Sequence, residues 1–343
     1  MKYFTYMNRN VLFILFSFLN IGICYSQTSK DYFQQGIRKY KLEQYPEAID
    51  AFSKAIELDS LYTDAYYNRA FIKSQLKDYV GAIEDYSSAI KLKPNSGYYL
   101  NRGNAKLDIQ DYPSAIADFN SAIEMNSNDP RIFLNRGLAE FKIEKYEDAI
   151  KDFNAAIAID SNYADAYYNR GCTKIKQQLY KSSIKDFDKT ISLDPLYANA
   201  YTYRANAKAL LKDYSGAISD YNISIAINAE NSEAYFNRAD VNGSLKNYAN
   251  AISDYTSAIK YNPSNYEAYF KRGYTKAESN DFSGALTDFN KAIELNPSYA
   301  DAYLHRGAVK LELNQKAGAC EDFQSAQKYG HKRAAASLHS YCK

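Results

Sequence analysis

The residues best equipped for chemistry in this sequence are arginines and aspartates that recur in step. Arg69, Arg102, Arg136, Arg170, Arg204, Arg238, Arg272 and Arg306 stand 33 or 34 residues apart. Each is followed 16 residues later by an acid: Asp85, Asp118, Asp152, Asp186, Asp220, Asp254, Asp288 and Asp322. A row of guanidinium forks could grip phosphate or carboxylate. A carboxylate is available to every one of them, however, so the row reads first as scaffold. If each Asp instead paired with the Arg of the following unit, Arg69 and Asp322 would be orphaned. Eight partly buried, bidentate ion pairs within units are therefore expected. Other chemistry is thin. The sequence has no Gly-rich phosphate loop, no nucleophile elbow and no His before His305. His305, His331 and His339 lie in the same region as Cys320 and Cys342, but they lack the close ligand pairs of a metal site. The expectation is a non-enzyme with no cofactor, no metal and no evident small-molecule substrate.

The elements that position these charges repeat as well. Asn68-Arg69-Ala70 recurs as Asn101-Arg102-Gly103, Asn135-Arg136-Gly137, Asn169-Arg170-Gly171 and Asn237-Arg238-Ala239. The period is 34 residues except for one step of 33, absorbed near residues 94–97. Small residues fall at unit positions 8, 20 and 27, and an aromatic falls at position 24, from Phe52 and Tyr86 through to Phe289 and Phe323. Helical spacing of apolar residues over Asp64–Leu76 and Tyr79–Leu92, a turn at Lys77-Asp78 and a stop at Pro94 describe a helical hairpin. Such a unit cannot bury its apolar face alone, so neighbours must stack.

This pattern resembles the tetratricopeptide repeat, in nine copies over residues 29–333. It departs from the family in having Tyr or Phe for Trp at position 4, usually Arg for Leu at 7 and usually Lys for Tyr at 11. The resemblance implies an all-α, right-handed α-solenoid of helix-turn-helix units at 29–62, 63–95, 96–129, 130–163, 164–197, 198–231, 232–265, 266–299 and 300–333. A C-terminal cap within 334–343 completes it. It also implies a groove lined by the first helices, with positions 2, 5, 6, 9, 12 and 13 facing it. Position 6 then supplies a ladder of Asn68, Asn101, Asn135, Asn169 and Asn237, able to bond a peptide backbone. The alternative is that these amides simply face water. Position 5 supplies Tyr67, Tyr168, Phe236 and Phe270, together with Phe33, Leu100, Leu134 and Leu304. These read either as an exposed interaction stripe or as packing between adjacent first helices. Acids at position 2 (Asp64, Asp165, Glu233, Glu267, Asp301) suit the helix dipole. The Lys/Arg/Asn clamp by which some family members hold C-terminal carboxylates is not supported, since Tyr67 and Leu100 stand where it needs Lys.

Composition and charge bound the partner. There are 42 Lys+Arg against 40 Asp+Glu, and residues 1–26 carry two of those cations and no acid. A remainder so balanced has no electrostatic footprint for nucleic acid. Lys2 and Arg9, then an apolar stretch over Val11–Ile23, then Cys24-Tyr25-Ser26, form an export signal with Gln27 as the mature start. Lipid anchoring at Cys24 fits less well, because bulky Ile23 precedes it. In a periplasmic or extracellular setting Cys320 and Cys342 could join as a disulfide pinning a terminal helix over Lys332–Tyr341, while Cys172 faces the groove as an unpaired thiol. The function expected is an exported, non-catalytic scaffold binding a protein or extended peptide. A self-assembling repeat protein of the cell envelope is the second choice.

Overall fold

A computed structural model describes residues 27–342; the stretch expected to be an export signal, Cys24 included, lies outside the described residues. The described chain is helical throughout and divides into two compact units, one ending at Ser127 and the other beginning at Asn128. The first unit holds three hairpins: α1 (Ser29–Lys41) with α2 (Tyr45–Leu58), α3 (Thr63–Gln75) with α4 (Tyr79–Leu92), and α5 (Ser96–Asp108) with α6 (Tyr112–Met125). The second begins with α7 (Pro130–Lys142), α8 (Tyr146–Ile159), α9 (Ala164–Lys176), α10 (Tyr180–Leu193), α11 (Ala198–Leu210) and α12 (Tyr214–Ile227). It continues with α13 (Ser232–Ser244), α14 (Tyr248–Tyr261), α15 (Tyr266–Glu278), α16 (Phe282–Leu295), α17 (Ala300–Glu312) and α18 (Lys316–Lys328), and ends in the single helix α19 (Ala334–Tyr341). No described helix is long and apolar enough to cross a membrane.

Local chemistry sets the boundaries. Thr28 opens α1 with a capping box to Asp31, and Asp78, Asp111, Asp213 and Asp281 cap second helices by accepting a backbone N–H. Between the two helices of every described hairpin one residue turns left-handed, from Glu43 at φ 58° to Lys212 at φ 65°, and none of the nine is glycine. That single residue reverses the chain, so the turn is short and the helices are forced to lie side by side. The start of α19 differs from the expected Lys332. His331–Arg333 is spent in a turn after Gly330, with the Arg333 N–H donating to His331 Nδ1 at 3.1 Å.

Within each unit, every second helix packs on its own first helix and on the first helix of the next hairpin. First helices of successive hairpins also meet, α3 with α5 in one unit and α7, α9, α11, α13, α15 and α17 in turn in the other. The small residues are what allow this. Ala48, Ala82, Ala115 and their equivalents are fully buried where helices cross. Position 8 shows a rule of its own. Where it is Gly (Gly36, Gly103, Gly137, Gly171, Gly273, Gly307), position 24 is Phe, and a Cβ on the glycine would stand 2.6–3.1 Å from the ring. Where it is Ala (Ala70, Ala205, Ala239), position 24 is Tyr: Tyr86, Tyr221 and Tyr255.

Candidate functional site

The sixteen repeated charges meet as eight pairs. Arg69 Nε and Nη2 donate to the two Asp85 oxygens at 2.8 and 2.7 Å, and the same fork joins each Arg to the Asp 16 residues on, down to Arg306 with Asp322 at 2.9 and 2.6 Å. The aspartates are almost wholly buried. Two further contacts complete the arrangement. Each of these guanidiniums lies 5.3–5.7 Å over the aromatic at position 4, Tyr66 to Tyr303. In six repeats the Lys at position 11 adds a second cation to the Asp: Lys73, Lys106, Lys174, Lys208, Lys276 and Lys310, at 2.7–2.9 Å. The departures from the family at positions 4, 7 and 11 are thus one cooperating set around the Asp at 23. The remaining Arg donor reaches back one hairpin, as from Arg69 to Ser53 Oγ at 2.8 Å and from Arg204 to Asp188 at 2.6 Å. The row holds hairpins together and is not offered to a ligand.

Two repeats break the set. In the seventh, Asn242 takes the Lys position and donates to Asp254 at 3.2 Å. In the fourth, Glu140 takes it, so a second carboxylate faces Asp152. Burial and the Asp152 charge push the Glu140 carboxyl up to about 7, and its Oε2 is buried without a hydrogen bond.

At position 5 the structure favours packing, one of the two readings the sequence left open. Leu100, Leu134 and Leu304 are buried. Tyr67 packs on Tyr98 and Tyr86, Tyr168 on Tyr197 and Phe187, Phe236 on Tyr255, and Phe270 on Tyr299 and Phe289, with ring centres 4.8–6.0 Å apart. This position faces neighbouring rings of the stack, and its aromatics are left half-buried. The Asn ladder is corrected in part. Asn68 and Asn169 donate to carbonyls one turn back in their own helices, Asp64 O and Asp165 O, at 2.7 and 2.8 Å. Asn101 donates to the Tyr67 hydroxyl at 3.1 Å and Asn237 to Asn206 Oδ1 at 3.0 Å. Asn135 occupies the equivalent half-buried place. In those four one N–H of the amide is already engaged.

What the first-helix face offers instead is a set of cavities between adjacent hairpins. Three occur at the same repeat positions, between repeats 2 and 3, 6 and 7, and 7 and 8, with volumes of about 440, 360 and 240 Å³. Each is floored by one of the tyrosines at position 24, namely Tyr86, Tyr221 or Tyr255. The hydroxyl of Tyr221 donates to Asn206 Oδ1 at 2.6 Å and that of Tyr255 to Asp240 Oδ1, both at position 9. Phe71 holds position 9 in repeat 2, and there the Tyr86 hydroxyl approaches Ser74 Oγ, a buried atom without a hydrogen bond of normal geometry. The tyrosine floors are legible in the sequence: Ala rather than Gly at 8 goes with Tyr rather than Phe at 24. Cys172, at position 9 of repeat 5, is a free thiol pushed up to about 12 by burial, and so is inert at neutral pH.

The C-terminal end closes differently. Cys320 on α18 and Cys342 after α19 are joined, their Cα atoms 5.7 Å apart, and Ala334 and Leu338 pack on Phe323, Ala326 and Leu304. His331 Nε2 lies 3.1 Å from Asp301, while His305 sits among Phe270, Tyr274 and Phe289, where burial lowers its pKa. Among the described residues no cluster of three His, Cys, Asp or Glu side chains could hold a metal ion.

Stacked helical hairpins with a side-chain-lined first-helix face define a repeat scaffold, a class used for protein–protein interaction. Profiles described as TPR repeat match residues 36–77, 103–143, 137–178 and 273–314, and profiles described as Tetratricopeptide repeat match 63–96, 164–195 and 232–265. The chain belongs to the tetratricopeptide repeat family. Among solved structures, the Cut9–Hcn1 heterotetramer of the APC/C is similar over 92% of this chain and 76% of its own, with 11% identity and a TM-score of 0.57, a likeness of fold. MamA matches 50% of this chain and 94% of its own at 25% identity and a TM-score of 0.46. YrrB, described as a TPR protein with an unusual peptide-binding site, matches 54% and 95% at 22% identity and a TM-score of 0.45. No curated protein matches the chain.

Proposed function

We propose that this protein is an exported, non-catalytic scaffold that holds an extended segment of another polypeptide on its first-helix face. The observation that carries the reading is the recurrence of a cavity at the same repeat positions between successive first helices. A feature repeated at that interval suits a ligand that is itself a chain. The ionisable groups of the face lie against neighbours rather than assembled for catalysis: the Tyr197 hydroxyl donates to Asp165 at 3.0 Å, and the Glu233 carboxylate sits close to Asn206 and Tyr203. Export rests on residues 1–26 and is supported by the Cys320–Cys342 bond, a pairing suited to an oxidising compartment. The docked α19 covers the last hairpin, which disfavours end-to-end assembly through that end.

A photo-crosslinking residue placed at Glu267, on the first-helix face, should trap a partner in the native host. The same residue at Lys151, on the solvent side of α8, should not. Adducts from Lys151 alone would reverse the assignment of the face. N-terminal sequencing of the secreted chain should begin at Gln27, and a start at Met1 would refute cleavage.

A further inference from the structure

We infer that the cavity between repeats 6 and 7 is a pocket for an arginine side chain of the bound polypeptide. The inference rests on the proposed scaffold reading and specifies the chemistry of its ligand. The cavity, about 360 Å³, has the Tyr221 ring as floor and Ala209, Leu210 and Val241 among its walls, an apolar sleeve suited to a side-chain stem of methylenes. Its one charged group is the Asp240 carboxylate, with the Tyr214 and Ser244 hydroxyls and the Asn206 and Asn237 amides around it. Asn206 spends its oxygen on two donors, the Tyr221 hydroxyl at 2.6 Å and Asn237 Nδ2 at 3.0 Å, which fixes both amides. Asn237 lines the cavity as well, its amide oriented by that bond. The Asp240 carboxylate lines the cavity beside it, and the Glu233 carboxylate approaches Asn206. No cation lines the cavity. A ligand that brings positive charge and donors complements that carboxylate, and a guanidinium brings five N–H groups in a planar fork.

Positions 8 and 24 set the polarity of the floor. In the Gly–Phe repeats the ring presses on the glycine, whereas the Ala205 methyl occupies that space and the ring that goes with it carries a hydroxyl. Asp240 is not wholly unengaged. It also accepts from the Tyr255 hydroxyl and meets Lys271 Nζ at 3.3 Å, in a pair whose side chains are 37% and 43% exposed. An exposed pair of this kind contributes little, so an incoming arginine can compete with it.

The test uses fluorescence anisotropy with the full chain and a nine-residue proline-rich peptide carrying one central arginine. A second peptide has citrulline in its place, with the same shape but no charge. The arginine peptide should bind at least about tenfold more tightly. Asp240→Asn, which still accepts from Tyr255 and so should keep its fold, should erase that difference. Lys271→Ala, which removes the internal competitor, should raise affinity for the arginine peptide severalfold and leave the citrulline peptide unmoved. Equal binding of the two peptides by the wild-type chain, or an undiminished preference in Asp240→Asn, overturns the pocket while leaving the scaffold reading intact. Absence of binding by either peptide, together with no crosslink from Glu267, overturns both.

Discussion

At the scale of single residues the buried clamp at the hairpin interface decides the most. The Arg–Asp pairing was legible in the sequence because both partners recur at a fixed spacing and an antiparallel hairpin brings them opposite each other. The Lys at position 11 was visible as a departure from the family, but its role was not. Helical spacing puts it one turn from the Arg, and only coordinates show that both cations reach one carboxylate. Glu140 is the exception that tests the set. Its carboxyl is raised from the ordinary value of 4.5 to about 7, so the folded state binds a proton that the unfolded chain has released. Stability from this group is complete below about pH 4.5 and is lost as pH rises through about 7. Thermal melts should therefore show wild type losing stability against Glu140→Gln between those pH values, by on the order of 1–2 kcal/mol once solvent screening of a half-buried group is allowed for. Glu140→Lys, which restores the common arrangement, should be more stable than wild type at pH 7. A pH-independent difference between wild type and Glu140→Gln would remove the carboxylate contact with Asp152 from the account. Truncating a clamp that lacks this complication, by Asp288→Ala, leaves Arg272 and Lys276 beside each other without their acid. It should cost roughly 3–5 kcal/mol, measurable by urea denaturation.

At the scale of elements, helix existence and boundaries were readable because nine in-phase copies average out local ambiguity. Most of the nine left-handed turn residues were not, since Lys, Gln and Glu carry no signature for that conformation and only Asn280 and Asn314 favour it. The position 5 stripe stayed ambiguous for a physical reason: an apolar residue beside a groove and one beside the next hairpin share the same spacing. The coupling of positions 8 and 24 could have been found by tabulating the repeats, and it makes a prediction about the hairpin as a unit. Gly137→Ala puts a methyl 2.8 Å from the Phe153 ring. Overpacking should outweigh the gain in helix propensity, for a net loss of about 1–3 kcal/mol. Adding Phe153→Tyr should recover little, because Leu138 at position 9 cannot accept the hydroxyl. Adding Leu138→Asn as well should recover most of the loss, giving a favourable coupling in the triple variant. Purely additive melting shifts across the series would show that the pairing in Ala205–Tyr221 and Ala239–Tyr255 is incidental.

At the scale of the whole molecule, each compact unit is a linear stack in which a hairpin is held only by its neighbours, so disturbances should spread by distance along the chain. The C-terminal end offers the cleanest test, because α19 is short, sits over the last hairpin and is tied by one bond between residues 22 apart. A short isolated helix has little stability of its own, and closing a loop of about that size stabilises by roughly 3 kcal/mol. Reduction of the Cys320–Cys342 bond, or Cys342→Ser, should therefore release α19 and uncover Leu304, Phe323 and Ala326. Amide hydrogen exchange should then rise most in α19, strongly in α17 and α18, weakly in α15 and α16, and not at all in α7 to α10. That gradient follows from nearest-neighbour coupling alone. A uniform rise across residues 128–342 would mean that the second unit unfolds as one cooperative block. In that case occupancy of a single cavity could be felt at every other cavity of that unit, rather than only by the hairpins beside it.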